Sequence, residues 1–442
     1  MDEIVRLRVL GLPPQSRVTL AAEMSLGGYH WASSASFLAD RRGSIDLARD
    51  TPASGSYNGR DPMGLFWSMT GTPAGMKSES PYASVRMTVR ASIGGRELAS
   101  THFSRAWLAR GVRMTPVKQG SVVGMLFDPG AAGNGRGVIV LSGSEGGIPE
   151  WEAALLASHG FTVLAPAYFG ESGRPERLIE IPLEDMKEAM QILRAHPSVN
   201  GRRIAVLGSS KGGELALLLG ATYPEDVAAV VSYASGALIG PGLDEAQSGK
   251  VSSWSFRGSA VPYARCRPTP AFLQQFRTPG PIRLRLMNEP CLSDPGATAG
   301  AFIPVREIKG DVLLITGGDD QTGPTTRGAQ MMVAARRRLG RHRTLHLDYP
   351  LAGHAIYSAY IPTTMSTSAG HLVLGGTPAA NAAAQRDSWP RVIAFLRGAP
   401  SLSPHHVAPA SAPPEKRRLQ STVRTLSSGF LSMWKLNGSI PT

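Results

Sequence analysis

The sequence contains little cysteine. Only Cys266 and Cys291 occur among 442 residues, and neither stands in a spacing typical of a metal site or of a redox pair. Two such cysteines predict incidental thiols in a reducing cytoplasm rather than a disulfide framework. The sequence likewise predicts no metal and no other cofactor.

Long apolar runs are also absent. No segment reaches the roughly 20 apolar residues that a membrane-spanning helix needs. The first residues, MDEIVR, begin acidic and lack the basic and then apolar stretch of a secretory leader. Hydrophobic residues at 42% and charged residues at 18% are typical of a globular protein. We therefore expect no membrane span and a cytoplasmic location.

Acidic residues are outnumbered by basic ones, 33 against 46, which gives a net charge of +13. Most of the excess is scattered arginine, with short clusters at 336–338 and 416–418. Neither cluster is interleaved with aromatic residues or part of a DNA-binding motif, so nucleic acid is not an expected partner. The charge is typical of a solvated surface, and part of it would favour a phosphate-bearing substrate such as a coenzyme A ester.

Two regions of different periodicity predict two domains. Residues 1–119 contain alternating segments separated by turns, which favour a β-sandwich. Residues 120–400 alternate short apolar strands with amphipathic helices, which is the pattern of an α/β domain with a mostly parallel sheet. Residues 401–442 are rich in Pro, Ser and Ala and then basic, and we expect a disordered tail.

The predicted elements leave one long irregular stretch. Alternation predicts strands at 5–10, 17–23 and 84–91, and apolar runs predict strands at 122–127, 137–141, 162–165, 204–207, 228–233, 312–316 and 344–349. Helices are predicted at 149–159, 183–195, 211–221, 328–339 and 379–396. Residues 234–303 are rich in Gly, Pro and Ser and predict an excursion over the sheet that shapes a substrate pocket.

The sharpest motif is a G-x-S-x-G sequence between a buried strand and a helix, with Ser210 as its serine. This order is that of the nucleophile elbow of α/β-hydrolases, whose tight turn projects the serine Oγ into the site. Gly208 and Gly212 supply the small neighbours that such a turn requires. The motif alone is common in Gly-rich turns, so the flanking strand and helix are what make Ser210 the candidate nucleophile. Ser209 is the competing hydroxyl, one position too early.

A nucleophilic serine needs a base and an acid that orients the base, and in this fold both follow the serine along the chain. One predicted strand ends just before Asp319 and Asp320, and the next ends just before His354. These side chains therefore come to the same edge of the sheet. His354 is the candidate base, with His346 and His371 as weaker candidates. Either aspartate can be the acid, while the other caps the turn.

The oxyanion hole is predicted to combine the backbone N–H of Lys211 with an N–H from the loop after the strand at 137–141. That loop reads SGSEGG over residues 142–147. Ser144 is the preferred second donor, and the amides of Glu145 and Gly146 are the alternatives. The loop lacks the Lys-Ser/Thr pair of a Walker-type phosphate loop.

Together these segments resemble the type I acyl-CoA thioesterases and the related bile acid-CoA:amino acid N-acyltransferases. The similarity extends over nearly the whole chain, to about Arg397. The segments that carry it are DPMGL at 61–65, GSEGG at 143–147, LGSSKGGEL at 207–215, GDD at 318–320 and YPLAGH at 349–354. The resemblance implies an immunoglobulin-like sandwich before an α/β-hydrolase domain, and a triad of Ser210, Asp320 rather than Asp319, and His354.

The resemblance also implies the reaction, in which the acyl group of a coenzyme A or carrier thioester passes to Ser210 and then to water. The nucleophile of the amino acid-conjugating branch is typically cysteine, so the serine of this chain favours hydrolysis. The alternatives are transfer of the acyl group to an amine or alcohol, another serine esterase or peptidase, and a non-catalytic binding protein on the same fold. Acyl chain length and oligomeric state are not predicted.

Overall fold

The computed structural model describes residues 1–74, 82, 84–201, 203–243, 249–277, 279–337, 343–357 and 360–398. The tail predicted at 401–442 lies outside these residues, as does the end of the helix predicted at 328–339.

The N-terminal region is built of antiparallel strands. In chain order its elements are β1 (Arg8–Val9), β2 (Arg17–Leu26), β3 (Tyr29–Leu38), β4 (Ile45–Asp46), β5 (Ser54–Gly55), α1 (Gly64–Trp67), β6 (Thr70–Pro73), β7 (Val85–Ile93) and β8 (Arg96–Arg105). A six-stranded sheet has the order β5-β3-β2-β7-β8, with β6 also on β3, while β1 pairs with β4. Alternate residues of β2 are buried, as expected of a sheet with one face on a core. The predicted sandwich class is confirmed, but the strand predicted at 5–10 shrinks to β1, because only its two residues pair with β4.

The second region alternates strands and helices around a large sheet. In chain order its elements are β9 (Arg113–Gln119), β10 (Val122–Asp128), β11 (Gly137–Leu141), α2 (Glu150–Ser158), β12 (Thr162–Ala167), β13 (Ile181–Pro182), α3 (Leu183–Arg194), β14 (Ile204–Ser209), α4 (Lys211–Thr222), β15 (Val227–Tyr233), β16 (Trp254–Phe256), β17 (Ser259–Ala260), α5 (Pro270–Gln274), α6 (Arg285–Cys291), α7 (Pro295–Thr298), β18 (Asp311–Gly317), α8 (Thr325–Arg337), β19 (Thr344–Tyr349), β20 (Ser368–Ala369), β21 (Leu372–Val373) and α9 (Pro378–Leu396). These bounds confirm the strands and helices predicted around the sheet to within a few residues.

The large sheet has eight strands in the order β19-β18-β15-β14-β11-β12-β10-β9. Six neighbouring strands of this sheet pair in parallel, namely β12, β11, β14, β15, β18 and β19. The remaining two, β10 and β9, are antiparallel to their neighbours. The order confirms the predicted α/β-hydrolase class. Residues 113–119, which the sequence groups with the N-terminal domain, form the edge strand β9 of this second sheet, because they make a hairpin with β10.

Helices cover both faces of the large sheet, and strand β11 shows how the sequence permits this. All of its residues are buried. Val138 and Val140 belong to one apolar core with α2, α9 and the N-terminal sandwich, and Ile139 and Leu141 belong to another with α3, α4 and α8. Successive side chains of a strand point to opposite faces, so a continuous apolar run buries both.

The excursion predicted at 234–303 contains short elements and a covalent link. Its described part holds β16, β17 and the helices α5 to α7. The prediction of two incidental thiols is wrong, because Cys266 and Cys291 form a disulfide with their Cα atoms 5.2 Å apart. The bond closes the segment that contains α5 and α6. None of the described helices is long and apolar enough to cross a bilayer.

Candidate active site

Ser210 lies in a strained turn between β14 and α4. Its φ and ψ are 53° and −118°, a conformation that non-glycine residues rarely adopt. Its N–H donates to the carbonyl of Tyr233 at 2.8 Å, and its carbonyl accepts from the Glu214 N–H at 3.0 Å. A side chain at Gly208 would overlap the Gly212 carbonyl, and one at Gly212 would overlap the backbone after β11. The structure thus places Ser210 in the strand-turn-helix geometry of a nucleophile elbow.

An aspartate and a histidine meet where two neighbouring strands end. Asp320 follows β18, His354 follows β19, and His354 Nδ1 lies 2.8 Å from Asp320 Oδ2. The two residues are 0% and 5% exposed. Asp319 is exposed instead and accepts a hydrogen bond from the Gly376 amide at 2.9 Å. The structure therefore brings Asp320, and not Asp319, to His354.

Two threonines hold the Asp320 carboxylate. Its Oδ1 accepts from the amide of Thr322 at 2.8 Å and from the hydroxyl of Thr322 at 2.7 Å. Its Oδ2 accepts from the Thr325 hydroxyl at 3.1 Å. These three hydrogen bonds fix the position of the carboxylate beside the histidine. Sequence reasoning missed both threonines, although an Asp with Thr two residues later is a common turn signal.

The environment of His354 favours a protonated ring. Burial alone lowers the pKa of His354, but the charge and hydrogen bond of Asp320 outweigh it and raise the pKa above its usual 6.5. Of the rival histidines, His346 lies 2.7 Å from the Thr316 hydroxyl, and burial lowers its pKa. His371 lies between β20 and β21. Among the described residues, Asp320 contacts only His354 of these three.

Hydrogen bonds to α9 and to the segment before it hold the loop that carries His354. The amide of Gly353 donates to Asn381 Oδ1 at 2.8 Å, and the amide of His354 donates to the Leu374 carbonyl at 2.9 Å. A side chain at Gly353 would overlap the carbonyl of Gly375, so glycine permits this close approach. The imidazole is thus held by its backbone as well as by Asp320.

The two amides predicted for the oxyanion hole flank Ser210. Lys211 is the first residue of α4, where helix N–H groups have no partner within the helix. Across the described part of the chain, neither the Lys211 nor the Ser144 amide donates to another protein group. A side chain on Gly143, next to Ser144, would lie 3.3 Å from Ser210 Cβ. The Lys211 amide is thus adjacent to Ser210, and the residue before Ser144 borders Ser210.

The side chain of Lys211 has a second role that the sequence did not reveal. Its Nζ lies 3.1 Å from the Glu214 carboxylate and 2.8 Å from the Ser253 hydroxyl. Glu214 also accepts from the indole of Trp254 at 2.7 Å and from the Gly240 amide at 3.1 Å. This network connects the excursion to α4, the helix that begins directly after Ser210.

Ser210 and His354 do not share a hydrogen bond within the residues described. Both lie close to the loop at 142–147, since Gly143 borders Ser210, and Glu145 and His354 interact electrostatically. Hydrogen bonds between a nucleophile and its base often tighten only when the substrate binds. The structure thus places a serine in an elbow conformation and an imidazole paired with a carboxylate beside the same loop.

Comparison with known proteins gives matches over most of the chain. Residues 2–119 match the model described as acyl-CoA thioester hydrolase/BAAT N-terminal region, and residues 181–400 match BAAT / acyl-CoA thioester hydrolase C terminal. Acyl-coenzyme A thioesterase 6 of Mus musculus is 31% identical over 410 residues, 90% of this chain and 93% of that protein. Acyl-coenzyme A thioesterase 2, mitochondrial, of Homo sapiens is 31% identical over 416 residues, 89% of this chain and 81% of that protein. Among solved structures, a putative dienelactone hydrolase from Klebsiella pneumoniae is similar with a TM-score of 0.41 and 17% identity, covering 64% of this chain and 97% of that one.

Proposed function

Because this chain belongs to the acyl-CoA thioester hydrolase/BAAT family, we propose that it hydrolyses acyl-CoA thioesters with Ser210 as nucleophile, His354 as base and Asp320 as acid. The observation that carries the proposal is the buried contact of 2.8 Å between His354 and Asp320, beside a serine in an elbow conformation. Relatives named as acyl-coenzyme A thioesterases support the substrate class.

The reaction proceeds in two halves. In the first, His354 Nε2 takes the Ser210 proton while Oγ attacks the thioester carbonyl carbon, and the amides of Lys211 and Ser144 stabilise the oxyanion. The C–S bond then breaks, and the thiolate leaves and is protonated from His354. Because a thiol has a pKa of about 8.5, the thiolate leaves the tetrahedral intermediate with less acid assistance than an alkoxide would need. In the second half, His354 deprotonates water, which attacks the carbonyl carbon of the acyl-serine. The bond between that carbon and Ser210 Oγ then breaks, His354 returns the proton to Oγ, and the free acid leaves.

The acceptor of the acyl group separates hydrolysis from transfer. The purified protein should release one free acid for each coenzyme A thiol, with or without added glycine or taurine. A serine nucleophile beside a base that can activate water supports this expectation. The measurement follows thiol release by a colorimetric reagent and identifies the acyl products by mass spectrometry. Formation of an acyl-glycine or acyl-taurine conjugate would favour the acyltransferase, and release of neither thiol nor acid would rule out both.

We also propose a cytoplasmic location, and the cysteine pair provides its test. Disulfides are rare in a reducing cytoplasm, so a cytoplasmic location requires Cys266 and Cys291 to be mostly thiols in the cell, in contrast to the bonded pair of the structure. A thiol-alkylating reagent added during cell lysis is therefore expected to label both residues. A pair that is bonded and unlabelled would instead place the protein in an oxidising compartment, where the disulfide of the structure is the stable form.

A further inference from the structure

A carboxyl group that the proposed mechanism does not use lies beside the nucleophile. Glu145 Oε1 accepts a hydrogen bond from the amide of Gly143 at 2.8 Å. Its other oxygen, Oε2, is buried and has no hydrogen-bond partner in the part of the chain that the structure describes. A side-chain carbon placed on Gly143 would lie 2.6 Å from this oxygen and 3.3 Å from Ser210 Cβ. The unpartnered oxygen therefore borders the space next to the nucleophile.

The surroundings of Glu145 favour its neutral form. Burial raises the pKa of the Glu145 carboxyl, and the charge of Glu152 on α2 raises it further. The amides of Gly143 and of Glu145 itself, and the charge of His354, act in the opposite direction but leave the pKa above its usual value. The other titratable groups that feel this carboxyl are Tyr168 and Tyr357, whose own pKa values burial raises, so they stay neutral. A buried carboxylate oxygen without a donor is costly, which agrees with a protonated Glu145.

A neutral Glu145 has a hydrogen-bond donor left to use. Its Oε1 is occupied by the Gly143 amide, so the proton belongs on Oε2. The hydroxyl of Tyr168 donates to the carbonyls of Ser142 and Gly143 at 2.8 Å each, and Glu145 Oε2 makes no hydrogen bond with it in the described part of the chain. In the proposed mechanism, the acceptor that forms next to Ser210 is the carbonyl oxygen of the thioester, which becomes the oxyanion.

We propose that the side chain of Glu145, in its protonated form, donates a third hydrogen bond to the oxyanion, beside the amides of Lys211 and Ser144. The inference rests on the proposed function, since it requires Ser210 to form a tetrahedral intermediate. The proton stays on Glu145 throughout, and no covalent bond to Glu145 forms. The active form carries a proton on Glu145 and none on His354 Nε2, so the two groups titrate as a coupled pair. Activity therefore falls at acid pH, when His354 is protonated, and at alkaline pH, when Glu145 ionises.

The test compares Glu145→Gln with Glu145→Ala in steady-state kinetics across pH. Loss of one oxyanion donor costs about 10²-fold in kcat, and we expect that loss for the alanine variant with little change in KM. Glutamine also carries a donor, so Glu145→Gln should keep most of kcat and lose the decline at alkaline pH. The matched control is Glu152→Gln. Removing the Glu152 charge lowers the pKa of Glu145, so the alkaline decline should move to lower pH with kcat unchanged at the optimum.

Two outcomes would overturn the role of Glu145. One is a Glu145→Ala variant with wild-type kcat, and the other is a Glu145→Gln variant as impaired as Glu145→Ala, which would mean that the ionised carboxylate is required. Melting temperatures show that each variant is folded, and the isosteric glutamine decides the question if alanine does not fold. The rate at which a fluorophosphonate labels Ser210 separates this inference from the substrate assignment, because its phosphoryl oxygen occupies the oxyanion hole without a thioester. If labelling slows about 10²-fold in Glu145→Ala but not in Glu145→Gln, the third donor is supported even if no thioester is turned over. Equal labelling rates in the wild type, Glu145→Gln and Glu145→Ala contradict it.

Discussion

Replacing Ser210 by alanine is expected to lower kcat for acyl-CoA hydrolysis by about 10⁶-fold. The variant has no oxygen to form the acyl-enzyme, and its residual activity comes from the oxyanion donors and substrate binding alone. Alanine and serine both carry a Cβ, so the backbone strain at φ 53° is the same and the fold should be kept. Release of the coenzyme A thiol measures the rate, and the melting temperature checks the fold.

Ser209→Ala is the matched control for this substitution. It removes the neighbouring hydroxyl from the last residue of β14, where the side chain is buried and 8% exposed. We expect activity close to that of the wild type, because the elbow presents Ser210 and not Ser209. If Ser209→Ala were inactive while Ser210→Ala hydrolysed thioesters normally, the nucleophile would be assigned to the wrong serine.

Asp320→Asn is expected to lower kcat by about 10⁴-fold. The amide keeps the size of the side chain but cannot stabilise the imidazolium, and it can hold His354 in the wrong tautomer. The pH dependence should change in a defined direction. In the wild type the base must be neutral, so activity falls as the pH drops through the raised pKa of His354, above 6.5. Without the Asp320 charge that pKa falls, and the acid limb of the remaining activity should shift to lower pH.

Asp319→Asn controls for the loss of a carboxylate from the same turn. Asp319 is exposed and bonds Gly376 and Gln321 rather than His354. Its substitution should leave kcat and the acid limb near the wild-type values. A larger loss for Asp319→Asn than for Asp320→Asn would contradict the pairing of acid and base seen in the structure.

The elements that build the site could be predicted because their signals are local. Buried strands read as short apolar runs, and the elbow around Ser210 combines a strand, small residues and a helix within a few positions. His354 could be placed because it directly follows a predicted strand. The residues alone could not decide between Asp319 and Asp320, because the side chains of neighbouring turn residues point in different directions. The resemblance favoured Asp320, and the contact with His354 agrees with it.

The remaining features depend on partners that are distant in sequence. Cys266 and Cys291 are separated by 25 residues in a stretch without periodicity, so their spacing does not reveal a bond. Glu214 meets Trp254 and Gly240 only when the excursion folds over α4. The buried position of Glu145 Oε2 near Ser210 is likewise a tertiary property. Its position in a Gly-rich loop suggests a solvated side chain, whereas the fold surrounds it.

The most direct test of the proposed function is to trap the acyl-enzyme. The protein is mixed with an acyl-CoA, quenched in acid within the first turnover, digested and analysed by mass spectrometry. We predict an acyl group on the peptide that contains Ser210, released coenzyme A in equal amount, and no adduct in Ser210→Ala. An acyl group on another residue, or thiol release from Ser210→Ala at the wild-type rate, would contradict the account.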